Sequence, residues 1–249
     1  MKIAAAQLEA AATLKDRTEE MLQKGVFAPA RVYNPLTYAW KAFEEYVKRY
    51  GSEKKRVLFL GMNPGPWGMA QIGVPFGEVA AVREWLGISA PVERPRNEHP
   101  KYPVDGWLCK RSEVSGRRLW GLFRERFVKP EAFFTEHFVV NYCPLLFIET
   151  TLLANGKEGA RNLTPDKLPP ESRAALFDAC DVHLRALAAL LEPRFLIGVG
   201  SFAAARAETA LAGMNLSIGK ILHPSPASPQ SNADWPGEAT RQLKELGVW

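Results

Sequence analysis

Four short apolar runs constrain this chain more than anything else in it. They are Val57-Leu58-Phe59-Leu60, Phe138-Val139-Val140, Phe195-Leu196-Ile197 and Ile218-Gly219-Lys220-Ile221-Leu222. The first three are continuous rather than alternating, as strands covered on both faces should be. Helix-length segments lie between them. The clearest is residues 171–191, where Leu176, Cys180, Leu184, Leu187 and Leu191 form one apolar stripe stopped by Pro193. Strands separated by helices imply βαβ units and a parallel sheet, so the expected fold class is α/β.

The first 24 or so residues read as an amphipathic, Ala-rich helix, with Leu8, Ala12 and Lys15 spaced for one. A second helix is expected over residues 36–50, carrying Trp40, Phe43 and Val47 and closed by Gly51. No repeat or low-complexity linker divides the remainder of the chain. The expected organisation is an N-terminal helical extension over 1–25 and one domain over 26–249, within the usual size of an α/β domain.

At 47% apolar and 24% charged residues, wholesale disorder is excluded. No stretch approaches the ~18 uninterrupted apolar residues of a membrane span. Gln7 and Glu9 break any secretory apolar core, so a cytoplasmic place is expected in a prokaryote, a nuclear one in a eukaryote, and secretion in neither. Three cysteines, Cys109, Cys143 and Cys180, are odd in number, far apart and free of C-x-x-C spacing. Neither a disulfide scaffold nor a zinc or iron–sulfur site is expected. The net charge of +5 mildly favours a polyanionic partner and does not decide it.

In open parallel sheets the ligand binds outside the carboxyl ends of the strands. Gly61-Met62-Asn63-Pro64-Gly65-Pro66 follows the first run and Asn141-Tyr142-Cys143-Pro144 the second. Gly198-Val199-Gly200-Ser201 follows the third and His223-Pro224-Ser225-Pro226 the fourth. Taken singly, Asn63 reads as a turn residue before proline, Asn141 as a satisfied strand-end amide and His223 as a capped loop histidine. Together they are placed to converge on one crevice. Gly198-Val199-Gly200 also resembles a dinucleotide fingerprint, but Ser217-Ile218-Gly219-Lys220 stands where its acidic residue should follow. Tight strand-to-helix packing explains those glycines equally well.

The segment from Gly61 to Val79, GMNPGPWGMAQIGVPFGEV, is too specific for a generic turn. With His223-Pro224-Ser225-Pro226 it closely resembles the single-strand-selective monofunctional uracil-DNA glycosylases, family 3 of their superfamily. Ser112-Glu113-Val114-Ser115-Gly116, Asn141-x-Cys143-Pro144-Leu145-Leu146-Phe147 and Arg161-Asn162-Leu163-Thr164-Pro165 agree too. The likeness runs from about residue 26 to about 245. It implies a three-layer α/β/α fold with a central four-stranded parallel sheet, no cofactor, no metal, and a monomer acting on single- and double-stranded DNA.

The resemblance also implies roles. Phe76 matches the aromatic that stacks on a uracil rotated out of the helix, a contact worth ~1–3 kcal/mol. Asn141 matches the amide that reads uracil O4 and N3–H, which cytosine cannot satisfy. Asn63 matches the residue that positions the attacking water. An amide is no general base, so glycosidic bond cleavage should precede water attack. His223 should donate to uracil O2 as negative charge collects there. Met62 and Gly65 lie where thymine is excluded, and Gly65 would leave room for a water or a hydroxymethyl, which brings 5-hydroxymethyluracil and other deaminated or oxidised bases into the expected range. No lysine in these motifs could form a Schiff base, so strand cleavage is not expected.

DNA contacts are implied at Pro64, Ser225 and Pro226, and basic segments at 94–101, 110–111 and 117–118 offer more. Related proteins carry a basic residue after His-Pro-Ser-Pro, in a wedge that enters the duplex. Here Ala227 stands there, which should weaken action on paired DNA more than on single strands unless Gln230 or Asn232 substitutes. Two other classes compete: a nucleotide-using enzyme resting on Gly198-Val199-Gly200, and a DNA-binding relative without catalysis.

Overall fold

The computed structural model describes residues 2–152 and 158–249 of the chain. Its strands are β1 (Arg31–Tyr33), β2 (Val57–Gly61), β3 (His137–Asn141), β4 (Leu146–Leu152), β5 (Glu158–Leu163), β6 (Phe195–Val199) and β7 (Ser217–Ile221). Its α-helices are α1 (Lys2–Gln23), α2 (Pro35–Tyr38), α3 (Trp40–Tyr50), α4 (Met69–Ile72), α5 (Val114–Phe127), α6 (Pro130–Phe134), α7 (Pro170–Leu191), α8 (Ser201–Ala210) and α9 (Pro229–Glu245).

The four apolar runs form one parallel sheet in the order β3-β2-β6-β7, flanked by helices. All of β2 and β6 is buried, whereas the edge strand β7 is largely half-exposed. That difference is why only the fourth run carried polar residues. Because every strand points the same way, Gly61, Asn141, Val199 and Ile221 all lie at one edge. The chain leaves β2 toward β3 on one side and returns to β6 on the other. The carboxyl edge around β2 is therefore the switch point where such sheets bind ligands.

A second sheet, antiparallel in the order β1-β4-β5, was not foreseen. Its strands pair Val32 with Phe147 and Phe147 with Leu163. Two of them, Arg31–Tyr33 and Glu158–Leu163, are short and polar, so their partner is fixed by tertiary contact rather than by pattern.

Helix α1 packs against α7 and α3. The face it buries is Ala4, Gln7, Ala11, Leu14 and Thr18, one step round from the expected Leu8, Ala12 and Lys15. The Gln7 side chain donates to the Gly51 carbonyl at the end of α3, and Thr18 accepts from Asn34 at 3.1 Å. Helices α2 and α3 replace the single helix expected over 36–50, with Ala39 between them outside helical geometry. The stripe along α7 is buried at all five expected positions. No helix among the described residues is long and apolar enough to cross a membrane.

Candidate active site

The parallel pairing of β2 with β3 continues past the strand ends: the Tyr142 amide donates to the Gly61 carbonyl at 2.9 Å, and the Cys143 amide to Met62 at 2.9 Å. Gly61 and Asn141 are register partners. A Cβ on Gly61 would collide with Asn141 Oδ1 and with the Phe76 ring, so only glycine lets those two side chains meet over the end of β2. Asn141 Nδ2 donates to Met69 Sδ at 3.2 Å, which orients the amide. The next residue, Tyr142, donates to Asp181 at 2.7 Å, and Asp181 pairs with Arg206 at 2.5 Å. This half-buried triad ties the Asn141 turn to α7 and α8.

In the loop after β2, Asn63 Nδ2 donates to the Leu145 carbonyl at 3.1 Å. A flipped amide would set oxygen against oxygen, so Asn63 Oδ1 is left to accept from something in the cleft. Buried Gln71 uses its whole amide. Its Nε2 donates to Pro66 and Pro103, both at 2.9 Å, and its Oε1 accepts from Asp105 at 2.9 Å and Gly106 at 3.2 Å. Four bonds from one side chain thus hold the loop in place.

Phe76 has φ +52°, a left-handed conformation that suits glycine in the turn closed by Gly77 N–H on the Val74 carbonyl. Strain of this kind costs ~1–3 kcal/mol and persists where the surroundings enforce it. Here the Trp120 indole donates to the Phe76 carbonyl at 3.1 Å, and Gly116 lies so close that a Cβ would strike that oxygen. The ring of Phe76 sits 6.4 Å from the His223 imidazole, centroid to centroid.

His223 follows β7 and precedes a proline. It is backed by Gly200, whose φ of +93° and missing Cβ let the imidazole approach, while the Gly200 amide bonds the Ile221 carbonyl at 2.9 Å. Gly198 is pressed on the backbone of Ala204. Both glycines of Gly198-Val199-Gly200 are thus spent on packing, and neither lines the cleft. Burial pulls the His223 imidazole down to about 4, so it is neutral at neutral pH.

These elements enclose a cleft of about 330 Å³ lined by Met62, Asn63, Pro64, Gly65, Phe76, Asn141, His223, Ser225 and Pro226 among others. Nine of the twelve residues named from sequence as candidate site residues meet there. The other three do not. Ala227, Gln230 and Asn232 are exposed beyond its rim, and the Asn232 amide is engaged by Pro226 O at 2.8 Å and Arg118 at 2.9 Å. Arg118 also turns inward, to the Pro224 carbonyl at 3.1 Å, whereas Arg117 is exposed. Arg111 is exposed and lies 3.8 Å over the Trp67 ring.

Six further residues line the cleft: Pro66, Met69, Glu113, Ser115, Asn162 and Thr164. All fall in motifs singled out above, which was the only signal for them. Glu113, at the start of α5, does not cap its own helix. Its carboxylate instead accepts from the Trp67 amide at 3.3 Å, and burial pushes its pKa up. It fills the space that a Gly65 side chain would take, contrary to the open room expected there. Among the described residues no group of three or more His, Cys, Asp or Glu could hold a metal ion. The cleft offers a flat aromatic face, an oriented amide, an amide oxygen and a neutral imidazole, the equipment for gripping one planar heterocycle.

Residues 48–244 match the family described as "Uracil DNA glycosylase superfamily". The chain is 49% identical over 219 residues to the bovine protein named single-strand selective monofunctional uracil DNA glycosylase, covering 87% of this chain and 78% of that one. The protein of that name from Mus musculus is also 49% identical, covering 76% of its length. A crystal structure of wild-type SMUG2 from Pedobacter heparinus superposes with a TM-score of 0.65 at 18% identity, covering 94% of this chain and 97% of that one, and shows the shared fold.

Proposed function

The chain belongs to the uracil DNA glycosylase superfamily, among its single-strand selective monofunctional members, and we propose that it rotates uracil out of DNA and hydrolyses the N-glycosidic bond. The product is an abasic site in an uncut strand. The observation that carries this reading is the meeting of Phe76, Asn141, Asn63 and His223 around one cleft at the sheet's carboxyl edge.

In the proposed mechanism the extruded base stacks on Phe76, repaying part of the few kcal/mol of unstacking. Asn141 donates to O4 through Nδ2 and accepts N3–H at Oδ1. Cytosine would leave both groups mispaired, each at a cost of about 1–3 kcal/mol. As the glycosidic bond stretches, charge moves onto uracil O2, where His223 donates a hydrogen bond. A neutral imidazole stabilises the anion without giving up its proton. Asn63, its nitrogen held by Leu145, offers Oδ1 to a water that captures the oxocarbenium-like sugar. The proton that the water loses passes to the departing uracil anion, so neither Asn63 nor His223 needs to be a base.

Beside C5 the pocket wall is Met62, Gly65 and the Glu113 carboxyl. A thymine methyl would press against a polar group there, whereas a hydroxymethyl could donate to it, so 5-hydroxymethyluracil falls within the proposed range. Pro64, Ser225 and Pro226 line the cleft and would meet DNA flanking the base. We take the protein to act as a monomer, on single strands more readily than on duplex because Ala227 cannot fill the gap left by a flipped base.

The test is cleavage of end-labelled oligonucleotides carrying one uracil, single-stranded and duplex, with thymine as control. Breakage at uracil only after alkali supports the reading. Breakage without alkali contradicts the monofunctional assignment, and no breakage contradicts the activity.

A further inference from the structure

The loop after β7 has every carbonyl from 222 to 226 occupied. Leu222 O accepts from the Trp235 indole at 2.7 Å, and His223 O from the Ser231 hydroxyl at 2.6 Å. Ser225 O accepts from the Ser228 amide at 3.2 Å, and Pro226 O from Asn232 Nδ2 at 2.8 Å. Those four donors belong to the loop's own continuation into α9. The fifth does not. Pro224 O accepts from Arg118 Nη1 at 3.1 Å, across 106 residues of chain, and Arg118 Nη2 donates to Asn232 Oδ1 at 2.9 Å.

Arg118 lies on α5, three residues after Ser115 and therefore on the same helical face. Ser115 and Glu113 line the opposite wall of the cleft. One guanidinium thus joins the wall formed by the start of α5 to the loop that carries His223. From this geometry we infer that Arg118 is a positioning residue: it fixes the His223–Ala227 loop at a set distance from Phe76 and holds Asn232 as the second half of the clamp. The inference rests on the reading that the chain excises uracil. It reverses the sequence expectation for both residues, since Arg118 stood among the basic candidates for phosphate contact and Asn232 as a substitute for the missing wedge. Both terminal nitrogens of Arg118 and the Asn232 amide are engaged by the protein. A planar fork with two nitrogens on two acceptors is a task that lysine cannot copy.

The experiment measures kcat, KM and the salt dependence of DNA binding for wild type and for Arg118→Ala, Arg118→Lys, Asn232→Ala and the Arg118→Ala/Asn232→Ala pair. Uracil excision by the wild type is measured first, and its absence would refute the activity rather than the clamp. For a positioning residue, kcat should fall roughly 10- to 10²-fold in both Arg118 variants, the scale of a small misplacement of a reacting group. KM and the slope of log affinity against log salt should stay near wild type. The double variant should lose little more than Arg118→Ala, because both changes open one clamp.

A phosphate contact predicts the opposite pattern: kcat unchanged, KM raised, rescue by lysine, and a salt slope reduced by about 0.7–0.9. That pattern, or wild-type kinetics in Arg118→Ala, overturns the inference. The His223 ring resonances supply a readout independent of turnover. They should shift in Arg118→Lys with the melting temperature kept, and an unmoved imidazole would also overturn it.

Discussion

The loop that follows β2 and the loop that follows β7 face each other across the cleft, the first held by buried side chains, the second by bonds to its own carbonyls. Residues 68–79 are buried throughout, with Gln71 spending all four of its bonding positions on main chain and Phe76 held in a left-handed turn. Across the cleft, Pro226 and Ala227 are exposed, and a run of prolines stiffens a backbone that few side chains cover. The buried wall is made of interlocking parts, so change there should cost stability and activity together. Along the exposed wall the surface positions can change while the fold is kept. On the proposed reading, Asn63 and Phe76 of the first wall and His223 of the second would serve the base, while Pro64 on one side and Ser225 and Pro226 on the other would meet the flanking DNA.

The sharpest way to break this comparison is to remove one chemical group from each wall. Asn63→Ala and His223→Ala should each lower uracil excision by roughly 10²–10³, the usual loss when an oriented group serving the transition state is deleted. Single-turnover kinetics would check this, and equal loss at both sites would mean that both walls serve the chemistry.

Gln71→Ala tests the buried side. It strands donors and acceptors at Pro66, Pro103, Asp105 and Gly106, at about 1–3 kcal/mol for each that finds no water. A loss of at least about 2 kcal/mol in urea unfolding is expected. Gln230→Ala, exposed on the other side, should stay within about 0.5 kcal/mol.

Acid sharpens the contrast further. Burial holds the native His223 at about 4 against an ordinary 6.5, so the folded state favours its neutral form. The resulting stability is present above 6.5 and is lost as pH falls from 6.5 toward 4. His137 and His183 are lowered to about 4 by the same cause and add to that acid loss. For kcat/KM, a plateau should extend below pH 6.5 and fail only on approach to 4. A break near 6.5 would mean that the imidazole is solvated.

The smallest effect is expected from Ala227→Arg. It should raise duplex turnover by a few-fold, leave single-strand turnover nearly unchanged, and hold stability within about 0.5 kcal/mol. Parallel rate measurements on both substrates would detect it.

Much of this was legible in the sequence because burial on two faces leaves a continuous apolar run. Each of the four runs became a strand with ends within two residues of those expected, and residues just beyond three of them, the first, second and fourth, line the cleft. Phe76 and Glu113 differ in kind. Phe76 was found through resemblance, and nothing in its local sequence announces a left-handed aromatic. Glu113 was inside a quoted motif, yet its partner Trp67 lies 46 residues away, and no periodicity reports such a meeting. The sheet of β1, β4 and β5 was missed for the same reason. Arg118 reads in the sequence as a charge offered to DNA, because a basic residue in sequence does not show which carbonyl it will find.

The loop after β7 has one more consequence when its amides are counted instead of its carbonyls. Of residues 223–229, Pro224, Pro226 and Pro229 have no N–H to give. Ala227 N–H is committed to the Ser225 hydroxyl at 3.2 Å, and Ser228 N–H to the Ser225 carbonyl. That leaves two backbone donors in the run, those of His223 and Ser225. A phosphate settling on this loop would have at most these two main-chain points of attachment, at and beside the histidine, so the loop would fix where the strand sits while reading nothing of its sequence.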